Sequence, residues 1–385
     1  MALTILDEGI IWKNPYPSSY ARIAISGHSV QTREGDILHA MQVGQARMSP
    51  DSQCLLTRSG DLGKSWSIPE PLTTNNLTTE WTATRVVMCN ANDGALLAGA
   101  VRSTLILPGT PGWLPENGGW TGSDARLFRS NDSGRTWSCV APIEVPSHEG
   151  GFFVVSTPPL DMGHQRLGVV IEPMFTGPMK SEIHQDEMIF SSDGGRTWGD
   201  RALMAKDPTG NLLYFDPRPA RLSSGRWCCL LWTHDARTDQ SLEASIIYSS
   251  DDGRSWSEPR LLPFWGFLSV PLCLSDGRLL VVYNHRRIPQ GVRCVISEDE
   301  GHTWRLDEEI VLWDQAARKA TGARCVESSA RQWTGTALTE MFSIFDYGIP
   351  HPIELSDGSV FISFYATALD HVMHQRFVRL NVRTP

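Results

Sequence analysis

Ser249-Ser250-Asp251-Asp252-Gly253-Arg254-Ser255-Trp256 is the stretch on which the reading of this chain turns. It follows a strand-like run, Ser245-Ile246-Ile247-Tyr248. Its aspartate can accept backbone N–H bonds within its own turn, its glycine supplies a positive φ, and its tryptophan covers the turn with apolar area. That is a hairpin clip. The pattern Ser-x-Asp-x-Gly-x-Ser/Thr-Trp stands again at Ser59 (SGDLGKSW), Ser130 (SNDSGRTW), Ser191 (SSDGGRTW) and Ser297 (SEDEGHTW). Starts at 59, 130, 191, 249 and 297 lie 71, 61, 58 and 48 residues apart, a spacing that suits one four-stranded sheet per repeat. A calcium loop would need a longer ligand series ending in a Glu, which none of the five has, so no metal is expected.

A second signal precedes each box. Tight turns followed by apolar runs stand at Gly35, Gly94, Gly163, Gly225, Gly277 and Gly358, six turns for five boxes. After Gly358 come Val360-Phe361-Ile362-Ser363-Phe364-Tyr365 and then 375–382, where the chain stops one strand short of a full repeat. Residues 3–12 (LTILDEGIIW) are a spare strand at the other end. Pairing the two closes a ring and removes an open edge. The expected fold is all-β: a six-bladed β-propeller whose last blade is closed by the N-terminal strand, with residues 1–385 forming one domain.

At 41% hydrophobic and 20% charged residues, the composition is that of a soluble globular protein. A net charge of −9 argues against a nucleic-acid partner. No apolar run is long enough to span a membrane, so no membrane partner is expected. The first twelve residues lack a signal-peptide pattern, and the eight cysteines lack metal-ligand spacing. Both point to a cytoplasmic protein with reduced thiols. No nucleotide loop, nucleophile elbow or His-Glu-x-x-His is present, so no cofactor is expected.

Strand counting assigns the loops to faces. With strands counted outward from the axis, the glycine turn joins first to second and the box joins third to fourth, so both lie on one face. The opposite face collects the second-to-third loops and the connections between blades. Several are long and polar: 100–124, 172–187, 234–243, 285–291 and 314–341. Elaborated loops on one rim of a rigid scaffold are where function usually sits. That rim receives Arg22, Arg47, Asp51, Asp216, Asp235 and Arg237. It also receives His285, Arg286, Arg287 and Arg293 from blade five, and Tyr347 beside Asp346.

With these repeats the chain resembles the sialidases (neuraminidases) and related propeller glycosidases across nearly its whole length. The repeated clip is that superfamily's Asp-box. The family's Phe-Arg-Ile-Pro segment, whose Arg binds the substrate carboxylate, is matched by Tyr20-Ala21-Arg22-Ile23-Ala24, which keeps Arg-Ile. Arg47-Met48-Ser49-Pro50-Asp51 looks like the Arg and acid/base Asp that precede the first box. Phe215-Asp216-Pro217 stands where the family has Asn-Glu-Pro, whose Glu activates the nucleophile. Arg237 and Arg293 fall near the second and third arginines of the family's triad. The nucleophilic Tyr belongs at the head of blade six, where Tyr347 stands. Turn spacing puts Ile349 in that slot, and a two-residue offset keeps the same strand face.

The resemblance implies a retaining glycoside hydrolase, exo-acting on a carboxylate-bearing sugar such as a sialic acid, with carbohydrate as partner. Arg forks bind the carboxylate bidentately. A neutral Tyr347 hydroxyl, activated by Asp216, replaces the carboxylate nucleophile that this group would repel. Asp51 protonates the leaving oxygen and later activates water. The departures at Ala21, Ala24, Asp216 and Ile349 keep two alternatives open. One is a propeller enzyme on another sugar, an exo-arabinanase or polysaccharide lyase; the other is a non-catalytic propeller that binds glycans or a protein.

Overall fold

Six small antiparallel sheets follow from the rhythm of turns and boxes. The computed structural model describes residues 3–14, 23–45, 51–72, 85–103, 113–114, 119–120, 123–149, 151–175, 181–315, 346–367 and 372–382. In blade four, Leu212–Arg221, Trp227–Asp235, Ser245–Ser249 and Arg260–Leu261 pair in that order. Blades one, two, three and five repeat the arrangement outward from Ile23–Gln31, Arg85–Asn90, Gly151–Val155 and Phe267–Cys273.

Blade six is composite. Tyr347–Glu354, Ser359–Thr367 and Met373–Asn381 come from the end of the chain, and Thr4–Trp12 adds the outermost strand. The register runs from Thr4 opposite Asn381 to Trp12 opposite Gln375. The closure expected from the sequence is the one observed. It gives the last strand a partner on both sides and buries Leu3, Ile11 and Trp12.

The clips are built as their chemistry requires. The Ser59 hydroxyl donates to Asp61 at 2.8 Å and accepts the Gly63 amide at 2.8 Å. Asp61 also accepts the Ser65 amide at 2.8 Å and the Ser65 hydroxyl at 2.6 Å. The same bonds form around Asp132, Asp193, Asp251 and Asp299. With both carboxylate oxygens spent inside the turn, the boxes are structural. Gly195 shows a further constraint: at φ +87 its backbone lies so close to blade two that a Cβ would come within 2.1 Å of Leu127.

The core lies between blades. Leu280, Val282 and Cys294 of blade five pack against Val360, Ile362 and Phe364 of blade six in one apolar cluster. Such layers hold each sheet on its neighbours and leave the first strands facing a common axis.

Candidate functional site

Nine positions before each turn glycine, the first strands carry Ser26, Arg85, Val154, Asp216, Leu268 and Ile349, and all six line one axial cavity of about 510 Å³. That volume suits a small ligand. Four of the six have left-handed backbone: Ser26 (φ 53°), Asp216 (φ 51°), Leu268 (φ 54°) and Ile349 (φ 49°). Each sits at a break in the strand register, between Ile25 and His28, Phe215 and Arg218, Phe267 and Ser269, and Gly348 and His351. Positive φ is costly for Leu and Ile, and bulges of this kind re-aim side chains beside functional sites.

Second strands, and the residue just after one of them, also contribute. Glu172 of blade three, Trp232 of blade four, Arg286 of blade five and Tyr365 of blade six also line the cavity. Arg286 is 1% exposed and lies 3.9 Å over the Phe267 ring. Tyr365 stands opposite Gly348, where a Cβ would come within 3.1 Å of its hydroxyl. Trp232 packs between Phe215 at 4.8 Å and Phe267 at 4.6 Å, making an apolar wall.

The charged wall is on blades two to four. Arg218 donates to Asp216 at 3.0 Å and to the Pro217 carbonyl at 3.0 Å, and Arg85 donates to the Val155 carbonyl. The Asp216 amide donates to Glu172. Burial, then the charge of Asp216, push the Glu172 carboxyl up to about 7 against the pull of Arg218 and Arg85. A side chain that is ordinarily a carboxylate is thereby a proton donor near neutrality. His28 and His351 also line the cavity, and their Nδ1 atoms accept the Met88 and Ser29 amides at 3.2 Å and 3.3 Å. Accepting there places the proton on Nε2 in both rings.

Of the residues singled out from sequence, Asp216 lines the cavity. Tyr347 does not: it is buried and its hydroxyl donates to the His285 carbonyl at 2.8 Å. The argument that two residues along a strand share a face fails because the bulge at Gly348 and Ile349 lies between. Arg237 is 64% exposed and grips Asp235 of its own loop at 2.8 Å. Arg293 belongs to the third strand of blade five and pairs with Glu309 at 2.7 Å. Neither lines the cavity, nor does Asp51, which accepts the Gln45 amide at 3.1 Å. Arg22, Arg47 and 316–341 of the long insertion lie outside the described residues.

Arg286, assigned to the rim from sequence without a role, lines the cavity, and so do Arg85, Glu172, Arg218 and Tyr365, which the sequence reading did not select. A signal for them exists. Tyr365 and Trp232 stand seven positions after their turn glycines, and Glu172 and Arg286 nine after theirs. Counting forward from each turn finds Glu172, Arg286 and Tyr365, and counting backward finds Arg85.

This architecture recurs in known proteins. The chain matches the family described as the BNR repeat-like domain over residues 113–362, and it belongs to that family. No curated protein matches the chain. Among solved structures, a Dyadobacter fermentans DSM 18053 protein of unknown function superposes with a TM-score of 0.74 at 20% identity, covering 99% of this chain and 100% of that one. A Penicillium chrysogenum alpha-L-arabinanase complexed with arabinobiose has a TM-score of 0.65 at 16% identity, with 98% of each chain covered. The Hadza microbial sialidase Hz136 has a TM-score of 0.63 at 16% identity, covering 94% of this chain and 66% of that one. At such identities the likeness carries the fold.

Proposed function

We propose that the protein is an exo-acting glycoside hydrolase that works in the axial cavity with Glu172 as its general acid. The observation that carries this reading is the place of Glu172 in the cavity wall with Asp216, where burial and that neighbour push its carboxyl up to about 7. A glycosidic oxygen needs such a proton as its bond to the anomeric carbon breaks. Asp216 lines the same cavity and its charge acts on Glu172, so the two supply the pair of carboxyl groups that a retaining mechanism needs. Asp216 is then the nucleophile, and the Glu172 carboxylate activates water in the second step.

The substrate we propose is a terminal sugar bearing a carboxylate, such as a sialic acid. Arg286 supports this, since it lines the cavity and a guanidinium is the side chain whose geometry matches a carboxylate. A neutral sugar is the second reading, because Arg237 and Arg293 are engaged with Asp235 and Glu309 away from the cavity. The fold shared with the arabinanase makes an arabinofuranoside the first neutral substrate to try.

Hydrolysis of an aryl N-acetylneuraminide and an aryl α-L-arabinofuranoside, with the product anomer read by proton NMR, tests both. Turnover of either with retention supports the assignment. An inverted product removes Asp216 from the nucleophile role, and an unsaturated sugar product makes the protein a lyase. A broad panel of glycosides left intact would end the hydrolase reading.

A further inference from the structure

Asp186 heads the third strand of blade three, Asp186–Ser191, and is 0% exposed. Neither of its carboxyl oxygens receives a hydrogen bond among the described residues. Strand register places it: Ile171 pairs with Glu187, so the next rung sets Glu172 opposite Asp186 on the same face of the sheet. Side chains so placed are neighbours.

The charged and titratable groups facing Asp186 are few. Glu172 comes from the second strand of its own blade, and Asp216 and Arg218 come from the first strand of blade four. Glu187 is next on its own strand, and the Cys229 thiol approaches from the second strand of blade four. Arg218 is committed to Asp216 at 3.0 Å, and Arg201 to Glu187 at 2.6 Å. A carboxylate ion at position 186 would therefore have neither a hydrogen bond nor a cation of its own, the costliest way to bury a charge. Burial, followed by the charges of Glu172 and Asp216, raises the Asp186 carboxyl well above the usual range.

We propose that Asp186 is a positioning residue for the acid: it stays protonated, and its O–H donates to the Glu172 carboxylate formed when Glu172 gives up its proton. This rests on the hydrolase reading of Glu172. In the step, an Asp216 oxygen bonds to the anomeric carbon, the Glu172 proton goes to the glycosidic oxygen, and the bond from that oxygen to the anomeric carbon breaks. Its electron pair leaves with the oxygen. Asp186 keeps its own proton and lends it as a hydrogen bond. The water that ends the cycle returns a proton to Glu172. Two facing acids tolerate each other and an acid can bond an ion, whereas two ions repel. The dyad lets one proton move by holding the other.

Infrared spectroscopy reads protonated carboxyls through a C=O stretch that carboxylates lack, and it needs no substrate. Wild-type protein at about pH 8.5, above the Glu172 titration, is expected to keep one such band. Asp186→Asn should lose it, and Glu172→Gln should retain it. A second band should titrate near 7 and vanish in Glu172→Gln. Asp186→Leu removes the donor, so the Glu172 band should persist about one pH unit higher, while Asp186→Asn, which keeps an N–H donor, restores the wild-type titration. Absence of a band from wild type at that pH, or its survival in Asp186→Asn, overturns the proposal. If one variant fails to fold, the other decides, since both remove the carboxyl. If neither folds, the wild-type band alone decides. Failure of the hydrolase reading looks different: glycosides stay intact while both bands behave as expected.

Discussion

The box face and the axis are made by the same six blades and obey opposite rules. On the box face, five clips repeat one set of bonds, each closed within a few residues of its own aspartate. At the axis, the equivalent positions Ser26, Arg85, Val154, Asp216, Leu268 and Ile349 are six different residues, four of them on positive-φ backbone. Repetition marks what the fold needs from every blade. Departure from repetition marks what the cavity needs from one blade only. No box residue lines the cavity.

The contrast breaks most completely at the seam between blades six and one. Deleting the first twelve residues removes Thr4–Trp12 and leaves the Met373–Asn381 edge unpaired. The expected result is loss of the cooperative calorimetric transition and aggregation seen by light scattering. A soluble truncation that melts cooperatively would show that closure does not depend on this strand.

The same seam holds three buried histidines, His28, His39 and His351. Burial first, then neighbouring charges for His28 and His351, push His39 and His351 down to about 3 and His28 well below its ordinary value. Unfolding lets each take a proton at its ordinary pKa, so the native state is disfavoured as acid is added. The stability these rings contribute is present above about pH 6.5 and is lost progressively as pH falls toward about 3. Thermal melts across that window should fall steeply for wild type and less steeply for His39→Gln. Equal slopes would mean the ring stays uncharged at no cost.

At the axis, the sign is reversed. Glu172 must be protonated to act, and its carboxyl stands up at about 7. Turnover should halve near that pH and then fall about tenfold per unit above it. A profile flat to pH 9 would remove Glu172 from the acid role.

The smallest effect belongs to a single clip. Asp193→Ala should lower Tm by roughly 2–4 °C, with the activity of the folded protein unchanged. A changed KM would mean the box face reaches the site after all.

How much could be read without coordinates follows from the same contrast. Clips, turn glycines and the spare strand are local patterns, and each closes its bonds near where it is written. The site is assembled from residues far apart in the chain, Arg85 and Tyr365 being 280 positions apart, so it had to be inferred by parity along strands. Parity held for Asp216. It failed for Tyr347 because the bulge at Gly348 and Ile349 interrupts the alternation. Arg293 was favoured for its nearness to the Ser297 box, but it lies one strand too far out, and Arg286 reaches the cavity instead. Glu172 carries no motif beyond its place nine positions after Gly163, and its rung opposite Asp186 and its burial mark it out only in the folded chain.

The central claim is that a proton from Glu172 at the axis drives bond cleavage. It is tested most directly by comparing an alkyl and a dinitrophenyl glycoside of the same sugar in wild type and Glu172→Gln. Glutamine cannot protonate a leaving oxygen, and dinitrophenolate leaves without help. The account predicts a loss of about 10²–10⁴-fold in kcat/KM for the alkyl glycoside and little for the dinitrophenyl one. Equal losses for both, or none for either, would contradict it.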